Sequence, residues 1–151
     1  MAGRSARVII ASTRASAGLY QDRCGPVISE WLVQRGFSLE APVLVGDGGP
    51  VGQALRDAIA DDVDVVITSG GTGISPSDDT PAQTAAALDY EIPGLADAIR
   101  RSGLPKVPTS VLSRGVSGVA GRTLVVNLPG SPGGVRDGLR VLAEVLDHAL
   151  D

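Results

Sequence analysis

One cysteine, one histidine and four aromatic residues are all that a chain of 151 residues contains of these types. A lone Cys24 excludes an internal disulfide and any metal site built from several thiolates, and it fits a reducing compartment. A histidine-based triad would have to use His148, which precedes the apolar Ala149 and has no Ser-x-Gly elbow or cysteine partner. It reads as a surface or boundary residue. Tyr20, Trp31, Phe37 and Tyr90 are too few for a platform on which single-stranded bases could stack. The net charge of −4 gives no long-range attraction for nucleic acid or an anionic membrane. The one local basic pair, Arg100-Arg101, ends a helical pattern, where arginines favourably face the helix C-terminus. No apolar run approaches the ~18 residues of a membrane span, and Val8-Ile9-Ile10-Ala11 is too short for the core of a signal peptide. The expectation is a cytoplasmic protein with neither a nucleic-acid nor a membrane partner.

What remains is ordinary for a folded domain. Apolar residues make up 43% and charged residues 20%, and the length suits one domain with a core between a sheet and helical layers. Ala6 to Ala11 is a β-branched apolar run and reads as a buried strand. Val27, Ile28, Trp31 and Leu32 then share one helical face, with Asp22 as a candidate N-cap and Gly36 as the C-terminal stop. Phe37 to Val45 reads as a second strand, placed at an edge because Pro42 cannot donate to a ladder. Val51, Leu55, Ala58 and Ile59 mark a second helix, and Val63 to Thr68 a central strand. Thr80-Pro81 has the form of an N-cap followed by proline at the first helical position. Pro93 to Arg101 predicts another helix. Leu104 to Arg122 is irregular, with a short hairpin expected around Val111-Leu112. Thr123 to Leu128 is the last strand, and Val135, Leu139, Leu142, Leu146 and Ala149 predict one final helix. Strands alternating with helices imply an α/β fold: a single three-layer α/β/α domain with a mostly parallel sheet.

In such a sheet, ligands bind beyond the carboxyl ends of the strands. Four loops stand there: Ser12 to Asp22, Gly46 to Pro50, Ser69 to Asp79, and Pro129 to Gly134. Glycine lets backbone N–H groups approach a ligand closely, and three of the four loops are glycine-rich. Gly70-Gly71-Thr72-Gly73 has neither the ending of a P-loop nor, with Pro76 in the third glycine position, a Rossmann fingerprint. By composition it fits a tight strand-to-helix turn and a phosphate cradle equally. Asp78, just ahead of Thr80, tips the balance by offering a carboxylate able to hold Mg²⁺ near a phosphate. Asp79 reads as compensation of the helix dipole. Asp61, Asp62 and Asp64 read as solvated, and Cys24 as packing. Arg14 and Arg114 fit a salt bridge and a phosphate contact equally.

Thr68-Ser69-Gly70-Gly71-Thr72-Gly73, followed by Asp78 and Thr80-Pro81, resembles the signature of the Mog and MoaB-like molybdopterin-binding family. Ser12-Thr13-Arg14 with Tyr20-Gln21-Asp22, Asp47, Ile92-Pro93-Gly94, Thr109-Ser110 with Leu112-Ser113-Arg114, and Asn127 to Pro132 extend the resemblance along nearly the whole chain. The resemblance implies molybdopterin adenylyltransferase activity in molybdenum-cofactor synthesis, with Asp47 and Asp78 acting together with Mg²⁺. It also implies a pterin and nucleotide pocket lined by Ser12, Gly70, Gly71, Thr72, Gly73, Ser75, Ser110, Asn127, Pro129, Gly130 and Ser131. Molybdopterin and ATP are the implied ligands, a homotrimer the implied assembly, and a molybdate-inserting enzyme a downstream partner. Many members carry aspartate where this chain has Thr13, so that position is assigned no charge-dependent role. The alternative is a pterin-binding or carrier protein that transfers nothing; retention of both Asp47 and Asp78 favours the enzyme. A flavodoxin-like flavin site is disfavoured, since only Tyr20 in these loops could stack on the ring.

Overall fold

The computed structural model describes residues 3–151. One sheet holds β1 (Ala6–Ala11), β2 (Val43–Val45), β3 (Val65–Ser69), β4 (Tyr90–Glu91), β5 (Ser117–Ala120) and β6 (Thr123–Leu128), in the order β2-β1-β3-β6-β5-β4. The first four in that order are mutually parallel, whereas β5 and β4 run antiparallel to their neighbours. The helices are α1 (Thr13–Ser16), α2 (Cys24–Gln34), α3 (Gly49–Ala60), α4 (Thr80–Ala87), α5 (Pro93–Arg101), α6 (Pro132–Ala143) and α7 (Leu146–Leu150).

The two-residue period of a strand divides the core in two. Val8, Ile10, Val65, Ile67, Leu124, Val126 and Leu128 meet Ile28 and Leu32 of α2 and Val135, Leu139 and Leu142 of α6 on one face. Ile9, Ala11, Val66 and Val125 meet Val51, Leu55 and Ala58 of α3 on the other. With α4 beside α3 and α5 beside α6, the three layers expected from the alternation of elements are present. Fully burying a Val, Leu or Ile contributes about 1.5–3 kcal/mol. An exposed ion pair such as Arg4 with Asp147 contributes about 0–1 kcal/mol. The two apolar layers, not the surface charges, hold the sheet.

Several local expectations are corrected. Only Val43–Val45 of the expected second strand pairs with β1. Ser38 makes a single bridge to Ser5, and Pro42, without an N–H, interrupts the ladder between them. The edge position itself is observed. No hairpin forms at Val111-Leu112, because Pro108–Leu112 is a 3-10 turn. The hairpin comes later, where Ala120 pairs with Thr123 across Gly121-Arg122. The expected last helix is two helices parted at Glu144 and Val145. Buried Leu146 continues the apolar stripe across that break, so spacing alone reads through it.

Thr80 is the first helical residue of α4 and not its cap: Asp79 holds the cap position, and the Thr80 hydroxyl is buried without a partner. Arg23, not Asp22, holds the cap position of α2, but Asp22 Oδ1 one residue earlier accepts from Cys24 N at 3.0 Å and Gly25 N at 2.9 Å and so satisfies the first amides of the helix. Asp61 pairs with Arg7 at 2.8 Å, and Asp64 accepts from Ser5 N at 2.8 Å and pairs with Arg122. Asp61 and Asp62 are exposed, as expected, whereas Asp64, with a side chain 14% exposed, is structural rather than solvated.

Candidate functional site

The chain leaves β1 for α2 on one face of the sheet, and leaves the adjacent β3 for α4 on the other. A crevice opens where two neighbouring strands send their connections apart. Gly70 and Gly71 line it with φ of +97° and +68°, values that L side chains rarely adopt. Space forbids a side chain as firmly as the backbone does. A methyl group on Gly70 would stand 2.4 Å from the carbonyl oxygen of Ala11, and one on Gly71 would stand 2.3 Å from Oγ1 of Thr80. The loop after β6 crosses equally closely, since a methyl on Gly130 would lie 3.3 Å from Cα of Gly70. Ser69 Oγ donates to the carbonyl of Pro129 at 2.6 Å and joins the two loops.

Both expected acids lie over this glycine stretch. Oδ1 of Asp47 is 3.3 Å from the position a Gly71 methyl would take, and Oδ2 of Asp78 is 2.7 Å from that of Gly73. Asp47 Oδ2 accepts from Thr13 Oγ1 at 3.1 Å, and the Asp47 N–H donates to the same hydroxyl at 3.2 Å. Asp78 Oδ2 accepts from Ser75 N at 3.1 Å, which closes a tight turn. Arg114 forms no salt bridge among the described residues. Its Nε donates to the carbonyl of Gly73 at 2.8 Å and its Nη2 to that of Asp78, so one guanidinium spans both ends of the Asp78 turn.

The ridge of crossing loops separates two cavities. The larger, about 430 Å³, has Thr72, Gly73, Ser110, Pro129 and Ser131 in its wall. The smaller, about 220 Å³, has Ser12, Gly70, Gly71 and Gly130. Nine of the expected site residues therefore come together around one ridge. Ser75 lies on neither wall; its hydroxyl meets that of Ser77 at 3.2 Å. Asn127 is corrected from a pocket residue to a buried structural one. Its Nδ2 donates to Thr68 Oγ1 at 2.9 Å and Thr84 Oγ1 at 3.1 Å, and its Oδ1 accepts from Val116 N at 3.1 Å. With three partners inside the fold, this amide ties β6 to β3, α4 and the approach to β5. Two of the hydroxyls expected in the pocket also have local duties: Ser12 Oγ accepts from Ala15 N at 3.1 Å and caps α1, and Ser131 Oγ accepts from Gly134 N at 3.2 Å and caps α6.

The donor set fits Mg²⁺. Asp47 and Asp78 are paired with no lysine or arginine among the described residues. No group of three or more His, Cys, Asp or Glu side chains able to hold a metal occurs there either. Mg²⁺ typically takes one or two carboxylates and completes its shell with water and substrate phosphate, whereas a closed protein cage would need more ligands. The unpartnered Thr80 hydroxyl under Gly71 adds a further polar atom beside Asp47.

The sequence model of a family described as "Probable molybdopterin binding domain" matches residues 7–148. The chain belongs to this family. The molybdopterin adenylyltransferase of Haemophilus influenzae is 36% identical over 136 residues, which cover 87% of this chain and 69% of that protein. That of Helicobacter pylori is 33% identical over 151 residues, 95% of this chain and 84% of its own. Among solved structures, the molybdopterin biosynthesis Mog protein from Mycobacterium ulcerans matches with a TM-score of 0.95 at 73% identity, over 98% of this chain and 97% of that one. The molybdopterin biosynthesis enzyme MoaB from Thermus thermophilus gives 0.89 at 43% identity, over 97% and 94%.

In this family member, one wall of the larger cavity escaped sequence reasoning. Ile99, Arg100, Ser102 and Gly103 from the end of α5 face Val107, Leu112 and Ser113 around the 3-10 turn. Arg100 does more than face the end of its helix: Nη1 donates to the carbonyls of Ser113 at 2.8 Å and Gly115 at 3.2 Å, holding that wall in place. Thr109-Ser110 and Leu112-Ser113-Arg114, both from the resemblance, were the signals here, because a run with prolines and no apolar period predicts no element.

Cys24 packs as expected, at 5% exposure, with Sγ 3.5 Å from the carbonyl of Gly130. Burial pushes its thiol up from the usual range, and the charge of Asp22 adds to this. The thiolate is the reactive form. Alkylation at pH 7 should therefore be roughly tenfold or more slower in the native chain than in the unfolded one. Equal rates, followed by mass spectrometry, would show an accessible thiolate instead.

Proposed function

We propose that this chain binds molybdopterin and acts in molybdenum-cofactor synthesis by transferring AMP from Mg-ATP to the terminal phosphate of the pterin, with release of pyrophosphate. The observation that carries the reading is the placement of Asp47 and Asp78 over one glycine loop, on a ridge between two cavities. Adenylyl transfer joins two polyanions, and two cavities that share the glycine loop beside which both carboxylates lie suit that task. A volume of about 430 Å³ lies within the range of small-molecule sites.

A phosphate oxygen of molybdopterin attacks the α-phosphorus of ATP, and the bond from that phosphorus to the bridging oxygen breaks as pyrophosphate leaves. The nucleophile is already an anion, so no histidine base is required, in keeping with His148 being exposed on α7. The rate then depends on positioning and on charge. Backbone N–H groups of Gly71-Thr72-Gly73 can hold phosphate oxygens. The N-terminus of α6, with Ser131, Gly133 and Gly134 in the cavity wall, favours negative charge. Asp47 and Asp78 would hold Mg²⁺, which when bound supplies charge neutralisation between the two substrates.

The test is incubation with molybdopterin, ATP and Mg²⁺, with detection of pyrophosphate and adenylylated pterin. Product above a no-enzyme control supports transfer. Pterin binding without product would make the chain a carrier.

We propose a homotrimer and a downstream molybdate-inserting partner. Light scattering coupled to size exclusion should read three chains of 15.3 kDa; a single-chain mass at micromolar concentration would count against the trimer.

A further inference from the structure

We propose that Thr13 is a positioning residue that sets the direction of the Asp47 carboxylate; the functional weight of this rests on the adenylyl-transfer reading. A hydroxyl has one proton and two acceptor sites. Thr13 Oγ1 uses both kinds on one residue: it accepts the Asp47 N–H at 3.2 Å and donates to Asp47 Oδ2 at 3.1 Å. Main chain and side chain of Asp47 are thereby pinned by a single atom. With Oδ2 occupied, Oδ1 is the oxygen left over Gly71.

Thr13 is itself held. It opens α1, whose cap is the Ser12 hydroxyl, and Ser12 N donates to the carbonyl of Val45 at 2.9 Å. The loop after β1 is thus fastened to the end of β2, two residues before Asp47. The branched Cβ of threonine restricts χ1, which narrows where Oγ1 can stand.

The chemical character of the partner matters as much as its position. An arginine or lysine at this position would pair with the carboxylate and cancel the charge that is to meet Mg²⁺ and phosphate. An ionised carboxylate, which many members of the family carry here, could accept the N–H but could not donate to Asp47. A neutral hydroxyl orients the acid and leaves its charge available.

The experiment compares Thr13→Val, which keeps the branched shape and loses the hydroxyl, with Thr13→Ser, which keeps the hydroxyl. Thr13 is exposed, so neither change disturbs the core. Amide hydrogen exchange at Asp47 in the ligand-free protein is read first. Thr13→Val should speed it at least roughly tenfold, and Thr13→Ser should restore most of the protection. AMP transfer is read second. Thr13→Val should lower kcat roughly 10- to 100-fold, as expected for a misplaced group, with KM for molybdopterin within about twofold; Thr13→Ser should recover most of kcat.

Wild-type exchange at Asp47 in Thr13→Val would overturn the proposal whatever the activity, and so would a change confined to KM. Faster exchange with an undiminished kcat would also overturn it. If the unaltered protein binds molybdopterin but transfers no AMP, the adenylyl-transfer reading fails; exchange at Asp47 then decides for or against Thr13 by itself.

Discussion

Replacing Asp78 by asparagine should lower the rate of AMP transfer by roughly 10²–10³, equivalent to about 2.7–4 kcal/mol, and leave pterin binding in place. The local geometry makes this a clean test of charge. Asp78 Oδ2 accepts the Ser75 N–H at 3.1 Å, and an asparagine oxygen can accept the same bond. Arg114 holds the backbone of the turn through the carbonyls of Gly73 and Asp78, not through the carboxylate. The turn should keep its shape while the negative charge over Gly73 disappears.

Asp47→Asn should behave similarly. The double variant should lose less than the product of the two effects, because groups that serve one centre are not additive. Molybdopterin affinity and transfer rate, measured on all three folded variants, decide the matter. Transfer at the wild-type rate in Asp78→Asn, or failure of that variant to bind the pterin, would remove the role assigned to this acid.

The second large effect is on stability. Gly70→Ala places a Cβ 2.4 Å from the carbonyl oxygen of Ala11, at a φ of +97°. Ala11 ends β1 inside the sheet, and Gly70 N donates to the carbonyl of Leu128 at 3.2 Å, so neither backbone can retreat freely. Overpacking costs about 1–3 kcal/mol and left-handed backbone roughly 1–2 kcal/mol, which together give a loss of about 2–5 kcal/mol. For a domain of this size that is roughly 5–15 °C in Tm. Gly94→Ala is the control: it lies in α5, has no atom within 4 Å of a new methyl, and should be neutral or gain about 0.4–1 kcal/mol. Thermal unfolding of both variants reads the contrast. A Gly70→Ala protein with the Tm of the parent would show that the three strand ends can shift apart.

The sequence by itself determined the strands β1, β3 and β6, the helices α2, α3 and α5, and the four loops at the carboxyl ends of the strands. These are set by local rules. A strand buried on both faces must be a continuous apolar run, an amphipathic helix must repeat its apolar face, and glycine must stand where φ is positive. Asp78 was legible as a carboxylate beside glycine amides and a helix start, and Asp47 only through the resemblance to the family.

Only the tertiary structure decided what those loops touch. Asp47 and Asp78 come over one ridge because β1 lies between β2 and β3 in the sheet, an order that no local pattern records. The hold of Thr13 on Asp47 depends on the same order. Asn127 falls in the last expected strand and in the motif that opens the next loop, and three hydrogen bonds fix it in the interior as part of the strand. Strand β5 (Ser117–Ala120) stayed hidden for a related reason. Gly118 of β5 must be glycine because a methyl there would lie 2.3 Å from the carbonyl of Tyr90, so close packing erases the alternation by which a strand is read.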